Sequence, residues 1–261
     1  MLLFTTVILL QAALWPMGLY GQGHPMDYKR WNQFDINRIR TEFSNTGLLC
    51  DGNQQNFSLS RAPAFEYPNG SGVSYGTSVG LVIGAHIDSL LPGAYSGQSL
   101  PSDYRYIVDA TIDEGSAAYW NEEHFAPYPE FVGMSGAAMS DDPSSWPVQW
   151  PGVIPNSGDS LHVGSEGWPG YGPGGEQLAD QESFAITYAF QGTDSWGQPI
   201  AGDAYHAWLN LSLEVRGLAW VGSLYEDFII WIYVIRNVGD VPINGLRTGI
   251  HSDFGFIPEF L

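Results

Sequence analysis

The sequence predicts a mainly β protein: an antiparallel β-sandwich with one long irregular Gly/Pro/Trp-rich excursion and at most one short helix. Three observations carry that expectation. The late part of the 261-residue chain holds long apolar runs that alternate with period two or are apolar on both faces, a strand pattern rather than a helical one. Short turn-forming sequences separate these runs, which suits hairpin connections in a two-layer sandwich. Between the early and late strand signals, 16 of the 43 residues from Gly133 to Gly175 are Gly or Pro, against 49 of 261 over the whole chain, a density that excludes regular secondary structure there.

Taken in order, Met1 to Trp15 is apolar except for Thr5, Thr6 and Gln11, and Pro16, Gly18, Gly21 and Gly23 follow. This is the shape of a secretory signal peptide over residues 1-22, with cleavage after Gly21 or Gly23. Its first residues lack Lys or Arg, so a membrane anchor or a core helix competes with that reading, but the span falls short of the ~20 residues a transmembrane helix needs. The best later run, Phe228 to Ile235, has eight residues. The expectation is an exported protein, secreted or at the cell surface, with residues 23-261 forming a single β-sandwich-like domain and residues 133-181 its irregular excursion.

Asp35 to Phe43 places Ile36, Ile39 and Phe43 on one helical face, with Asp35 as N-cap and Gly47 as stop; a short helix fits, and an extended segment is the alternative. Strands are expected at Thr77 to Asp88 and at Ser183 to Phe190. From Trp208 to Trp220, Leu209, Leu211, Leu213 and Val215 alternate with Asn210, Ser212, Glu214 and Arg216, which predicts one buried and one wet face. Asp227 to Asn237 is apolar on both faces, which predicts a central strand. Asn237 to Pro242 supplies turn chemistry, with Asn244 to His251 as the expected hairpin partner. Trp146, Trp150 and Trp168 lie inside the excursion and argue that it is ordered and packed on the sandwich, since disordered segments are poor in aromatics.

With 28 acidic and 9 basic side chains the net charge is −19, and Lys29 is the only lysine. Binding nucleic acid or an anionic membrane surface requires clustered Lys and Arg, so both are excluded as partners. The charge is regional: no Lys or Arg occurs over the 110 residues from Tyr106 to Val215, which hold 16 carboxylates. Cys50 is a lone cysteine, read as a small buried hydrophobe rather than a nucleophile.

Few motifs carry chemistry. Gly76-Thr77-Ser78-Val79-Gly80 matches a nucleophile elbow, but a helix should follow it, and Leu81-Val82-Ile83-Gly84 reads as strand. Asp253-Phe254-Gly255 matches a kinase triplet without the Gly-rich loop or catalytic loop that should precede it. Glu122 and Glu123, near Asp113, Glu114 and His124, point to opposite faces of a strand and cannot together flank a glycosidic bond. His86-Ile87-Asp88 and His251-Ser252-Asp253 each offer two ligand types, too few for a transition metal. Calcium suits the hard oxygens of Asp141, Asp142 and Asp159 in an exported protein, although no EF-hand spacing is present. Trp146, Trp150, Trp168 and Trp196 sit beside acids and amides in loop sequence, as aromatic platforms for neutral sugars do; the competing role is to plug the excursion onto the sheet. Asn56, Asn69 and Asn210 head formal glycosylation sequons.

Three passages carry a family likeness: Ile36 to Gly47; Tyr67 to Gly72 with Gly80 to Ala85; and Trp146-Pro147 through Ser183. Together they resemble the N-terminal region of large, uncharacterised secreted β-rich proteins of Bacteroidetes-type bacteria, over roughly residues 33 to 257. The resemblance implies a β-rich exported protein and supplies no catalytic residues. Such proteins often continue into further β-domains and a C-terminal sorting domain. This chain stops at Leu261, so a short form or a fragment is expected, with an open sheet edge at the 227–251 hairpin through which it self-associates. The functional expectation is a non-catalytic structural or adhesive β-protein of the bacterial envelope or extracellular space, contacting a glycan or another envelope protein through the acidic Trp-bearing excursion. The alternative is a carbohydrate-binding module or glycoside hydrolase that uses exposed Trp and carboxylates such as Glu122 or Asp142.

Overall fold

A computed structural model of the chain describes residues 25–51, 63–86, 106–111, 125–128, 131–133, 135–148, 150, 167–172, 175–189, 209, 211–238, 242–255 and 257–258. The strands in chain order are β1 (Trp31–Phe34), β2 (Thr41–Ser44), β3 (Leu49–Asp51), β4 (Val73–Ser74), β5 (Ser78–His86), β6 (Tyr106–Ala110), β7 (Phe125–Pro127), β8 (Ala138–Met139), β9 (Gln181–Ala189), β10 (Leu211–Ala219), β11 (Ile229–Asn237), β12 (Arg247–Asp253) and β13 (Ile257–Pro258), with 3-10 turns at Pro25–Tyr28 and Pro143–Ser145.

Two antiparallel sheets form without closing into a barrel, so the fold is a β-sandwich. Sheet one runs β1-β2-β3-β5-β12, with β6 also pairing β5; sheet two runs β11-β10-β9-β7, with β8 also pairing β9. A short β4-β13 pair lies outside both. Among the described residues no helix is long and apolar enough to cross a membrane.

Period-two alternation explains the core. In β10 the odd-numbered Leu211, Leu213 and Val215 face sheet one, where β5 supplies Leu81, Ile83 and Ala85, and β11 adds Trp231, Tyr233 and Ile235 to the same layer. A second part of that layer joins Phe34, Phe43, Leu49, Met139 and Ala219. The Trp231 ring stands edge-on to Phe34 with centroids 5.3 Å apart. A buried side chain of this size contributes roughly 1.5–3 kcal/mol, so these clusters hold the sheets together. Gly217 is required where it stands: a Cβ there would lie 2.6 Å from the Phe34 ring. At the β3 bulge Cys50 adopts φ 47° and is fully buried, in line with its reading as a small core residue.

Four expectations are corrected. Asp35 to Phe43 is not a helix: Phe34 ends β1, residues 35–40 turn, and Phe43 lies in β2, opposite Asn32. The apolar i, i+3, i+7 spacing arises because Phe43 faces the sandwich core and Ile36 packs against the same cluster from the turn. β10 has no wet face; all nine residues are buried because the excursion covers the outer side of sheet two. Among the described residues β11 pairs with β10 alone and ends its sheet, where a central strand was expected. Its inner face meets the core, and its outer residues Ile230, Ile232 and Val234 are only partly covered. Finally, β12 does not return beside β11 but crosses to sheet one and pairs with β5. In that register Ile250 lies beside Leu81 on the core-facing side, yet it is 60% exposed, so sheet two does not reach beneath β12.

Candidate binding surface

The excursion folds onto the outer face of sheet two. Even-numbered Phe184 and Ile186 of β9 point outward and are covered by Trp146, Trp150 and Trp168. The three indoles form one cluster, with centroids 5.5 to 5.9 Å apart, and Trp150 also meets the Phe184 ring at 5.7 Å. Trp150 is buried, while Trp146 and Trp168 are half-buried. The polar edges of these two rings are satisfied inward: Trp146 Nε1 donates to the Met139 carbonyl at 2.6 Å and Trp168 Nε1 to Glu182 Oε2 at 2.7 Å. The predicted platform residues are thus brought together as a packed plug. Trp196 lies outside the described residues.

Carboxylates anchor this plug. Glu182 is fully buried, and its Oε1 accepts the Leu178 and Ala179 amides at 2.6 and 3.0 Å while Oε2 takes Trp168. Glu214 bridges Arg216 at 2.6 Å and Arg236 at 3.1 Å, and all three side chains are largely buried. Arg216 reaches further, donating to the Pro169 carbonyl at 2.6 Å and lying over the Phe184 ring at 4.4 Å. These groups have their partners inside the protein, as buried charges require, and they bind the excursion to the sheet.

Two of the three proposed calcium ligands, Asp141 and Asp142, lie among the described residues. Asp141 accepts from Gln181 Nε2 at 2.8 Å, and Asp142 caps the Pro143–Ser145 turn by accepting from the Ser144 amide and hydroxyl. Asp159 lies outside the described residues, as do Glu122, Glu123, Ile87 and Asp88. Among the described residues no group of three or more metal-ligating side chains converges. Ser78 opens β5 and continues as strand, without the turn into a helix that an elbow needs.

Several exposed apolar side chains gather elsewhere, at the tip joining β10 to β11. Val221, Leu224, Tyr225, Phe228 and Ile230 are between 38% and 79% exposed. Trp220, Tyr225 and Phe228 contact one another with centroids 6.1 to 6.5 Å apart. The tip is fixed from two sides. Trp220 Nε1 donates to the Leu178 carbonyl and the Val221 amide to Asp180, and across the sandwich the Arg38 amide donates to Glu226 O while Asn37 Nδ2 donates to Phe228 O. Arg38 pairs with Asp227 at 3.0 Å over the Tyr67 ring, and the Tyr67 hydroxyl donates to the same carboxylate. Burial and that hydrogen bond raise the Tyr67 hydroxyl above its ordinary value.

The tip therefore presents a held, partly aromatic surface beside Asp180, Glu226 and Asp227. Sequence reading overlooked it because its residues flank rather than fill a motif. The available signal was that Val221, Leu224 and Tyr225 occupy a turn, where polar residues are the norm. No protein-family model, curated protein or solved structure matches this chain.

Proposed function

We propose that the chain is an exported, non-catalytic structural or adhesive β-protein of the bacterial envelope or extracellular space, and that it makes contact through the β10–β11 tip. The observation that carries the reading is the exposure of Val221, Leu224, Tyr225, Phe228 and Ile230 around the Trp220, Tyr225 and Phe228 ring contacts, on a tip tied down by backbone and ion-pair contacts. A contiguous apolar patch rimmed by polar groups is what protein-contact sites present. Export rests on the apolar N-terminal span, and the resemblance to secreted β-rich proteins of Bacteroidetes-type bacteria supports the same compartment.

A second reading, a carbohydrate-binding module, is favoured by the ring contacts of Trp220, Tyr225 and Phe228 beside Asp180 and Asp227. Retention of the purified protein on bacterial envelope fractions and on isolated polysaccharides separates the two. Loss of envelope retention in Leu224→Asp with no polysaccharide binding supports the adhesive reading. Polysaccharide binding lost in Tyr225→Ala and Phe228→Ala supports the second. Retention by neither material removes both.

A further inference from the structure

The dipeptide Asn–Gly occurs twice in the sequence, at Asn69-Gly70 and at Asn244-Gly245. At such a step an asparagine side chain reacts most readily with its own backbone, because glycine has no Cβ to hinder the approach of its amide nitrogen to the asparagine Cγ. Both steps are exposed and lie in connections between strands, the first between β3 and β4, the second between β11 and β12. Both glycines adopt left-handed backbone, Gly70 with φ 83° and Gly245 with φ 65°. Chain neighbours aside, neither has an atom within 4 Å of the place a Cβ would take, so the room for a ring to close is the same at the two sites.

The asparagine side chains separate them. Asn69 Nδ2 donates to the Asp35 and Asn37 carbonyls at 2.8 and 3.2 Å, and the Asn69 amide donates to the Arg38 carbonyl at 2.7 Å. The Ser71 amide closes the same turn on the Pro68 carbonyl at 2.9 Å. Asn69 is thus a tie between two turns, and swinging its Cγ toward Gly70 N breaks both side-chain bonds. Asn244 is under no such restraint: among the described residues its side-chain amide has no hydrogen-bond partner.

We propose that Asn244-Gly245 is a site of spontaneous deamidation in the folded protein, and that the fold protects Asn69-Gly70 from the same reaction. Gly245 N gives up its proton to solvent and bonds to Asn244 Cγ, the Cγ–Nδ2 bond breaks, and Nδ2 takes up a proton and leaves as ammonia. Water then opens the cyclic imide at one carbonyl or the other, giving aspartate or isoaspartate. The connection from sheet two to sheet one thereby gains a carboxylate and, in the isoaspartyl product, an extra backbone atom. This is independent of contact through the β10–β11 tip, which contains neither residue.

The test is peptide mapping of the intact chain after ageing at mildly alkaline pH, with aspartyl and isoaspartyl products separated by chromatography. A sample unfolded in urea at the same pH supplies each site's intrinsic rate. The expected result is that Asn244 converts in the folded protein at close to its unfolded rate, whereas Asn69, with two hydrogen bonds to break first, lags its own unfolded rate by about tenfold or more. Gly245→Ala, compared in urea so that its folding has no bearing, should slow conversion at Asn244 and leave Asn69 unchanged. Folded protein that keeps Asn244 intact while the unfolded chain converts overturns the proposal. So does a folded Asn69 that keeps pace with Asn244, or an Asn244 rate indifferent to Gly245→Ala.

Discussion

Glu182 shows how much one side chain can hold. Its carboxylate accepts from Trp168 Nε1 and from the Leu178 and Ala179 amides with no exposure to solvent, so truncation leaves three donors without an acceptor. Unmade hydrogen bonds to a buried charged group cost about 1.5–3 kcal/mol each before relaxation. Glu182→Ala is therefore expected to lower unfolding free energy by roughly 3 kcal/mol or more, seen in urea titration together with altered Trp168 fluorescence. Tyr233 makes a different prediction. Its hydroxyl donates to the Gly47 carbonyl at 2.9 Å, and burial, with the neighbouring Cys50 adding to it, raises its pKa above the ordinary 10.0. The unfolded chain loses this proton first, so the contribution is complete below pH 10.0 and falls away as the pH rises above it. Denaturation at mildly and strongly alkaline pH should show this loss, and Tyr233→Phe should flatten it at a cost of about 1 kcal/mol at neutral pH.

At the level of the element, the central position of β10 can be tested by contrast with the β12 edge. Adding a methyl at Gly217 drives it into the Phe34 ring and Ser183 Oγ, both within 2.7 Å of the new atom. Overpacking of this kind costs roughly 1–3 kcal/mol. Gly249 on β12 has nothing within 4 Å, so Gly249→Ala should stay within about 0.5 kcal/mol of the unsubstituted protein; equal losses in the two variants would contradict the assigned layers. The strands themselves were legible in sequence: β5, β10 and β11 fall inside segments read as strands, and β9 overlaps one from Ser183 onward, because period two and β-branched runs are local signals. Their neighbours were not. Glu214 and Arg216 alternate with Leu213 and Val215 as wet residues would, and only the excursion's approach at Pro169 makes them buried partners. The doubly apolar pattern of β11 suits a central strand equally well, because hydropathy records that a face is covered without recording by what. The candidate surface was the least legible part. The Trp residues of the excursion drew attention by their size and composition, whereas the exposed tip depended on where a turn between two strands came to rest.

For the whole molecule, the charge of −19 sets how stability responds to salt. Like charges lie closer together in the compact fold than in the extended chain, so self-repulsion disfavours the folded state. Raising the ionic strength from about 0.01 M to about 0.1 M shortens the screening length from about 30 Å to about 10 Å, which relieves that repulsion and scarcely touches buried pairs such as Glu214 with Arg216 and Arg236. The urea midpoint is therefore expected to rise as sodium chloride is added over this range. A midpoint that falls instead would argue that exposed pairs such as Arg38 with Asp227, which screening weakens, outweigh the net repulsion.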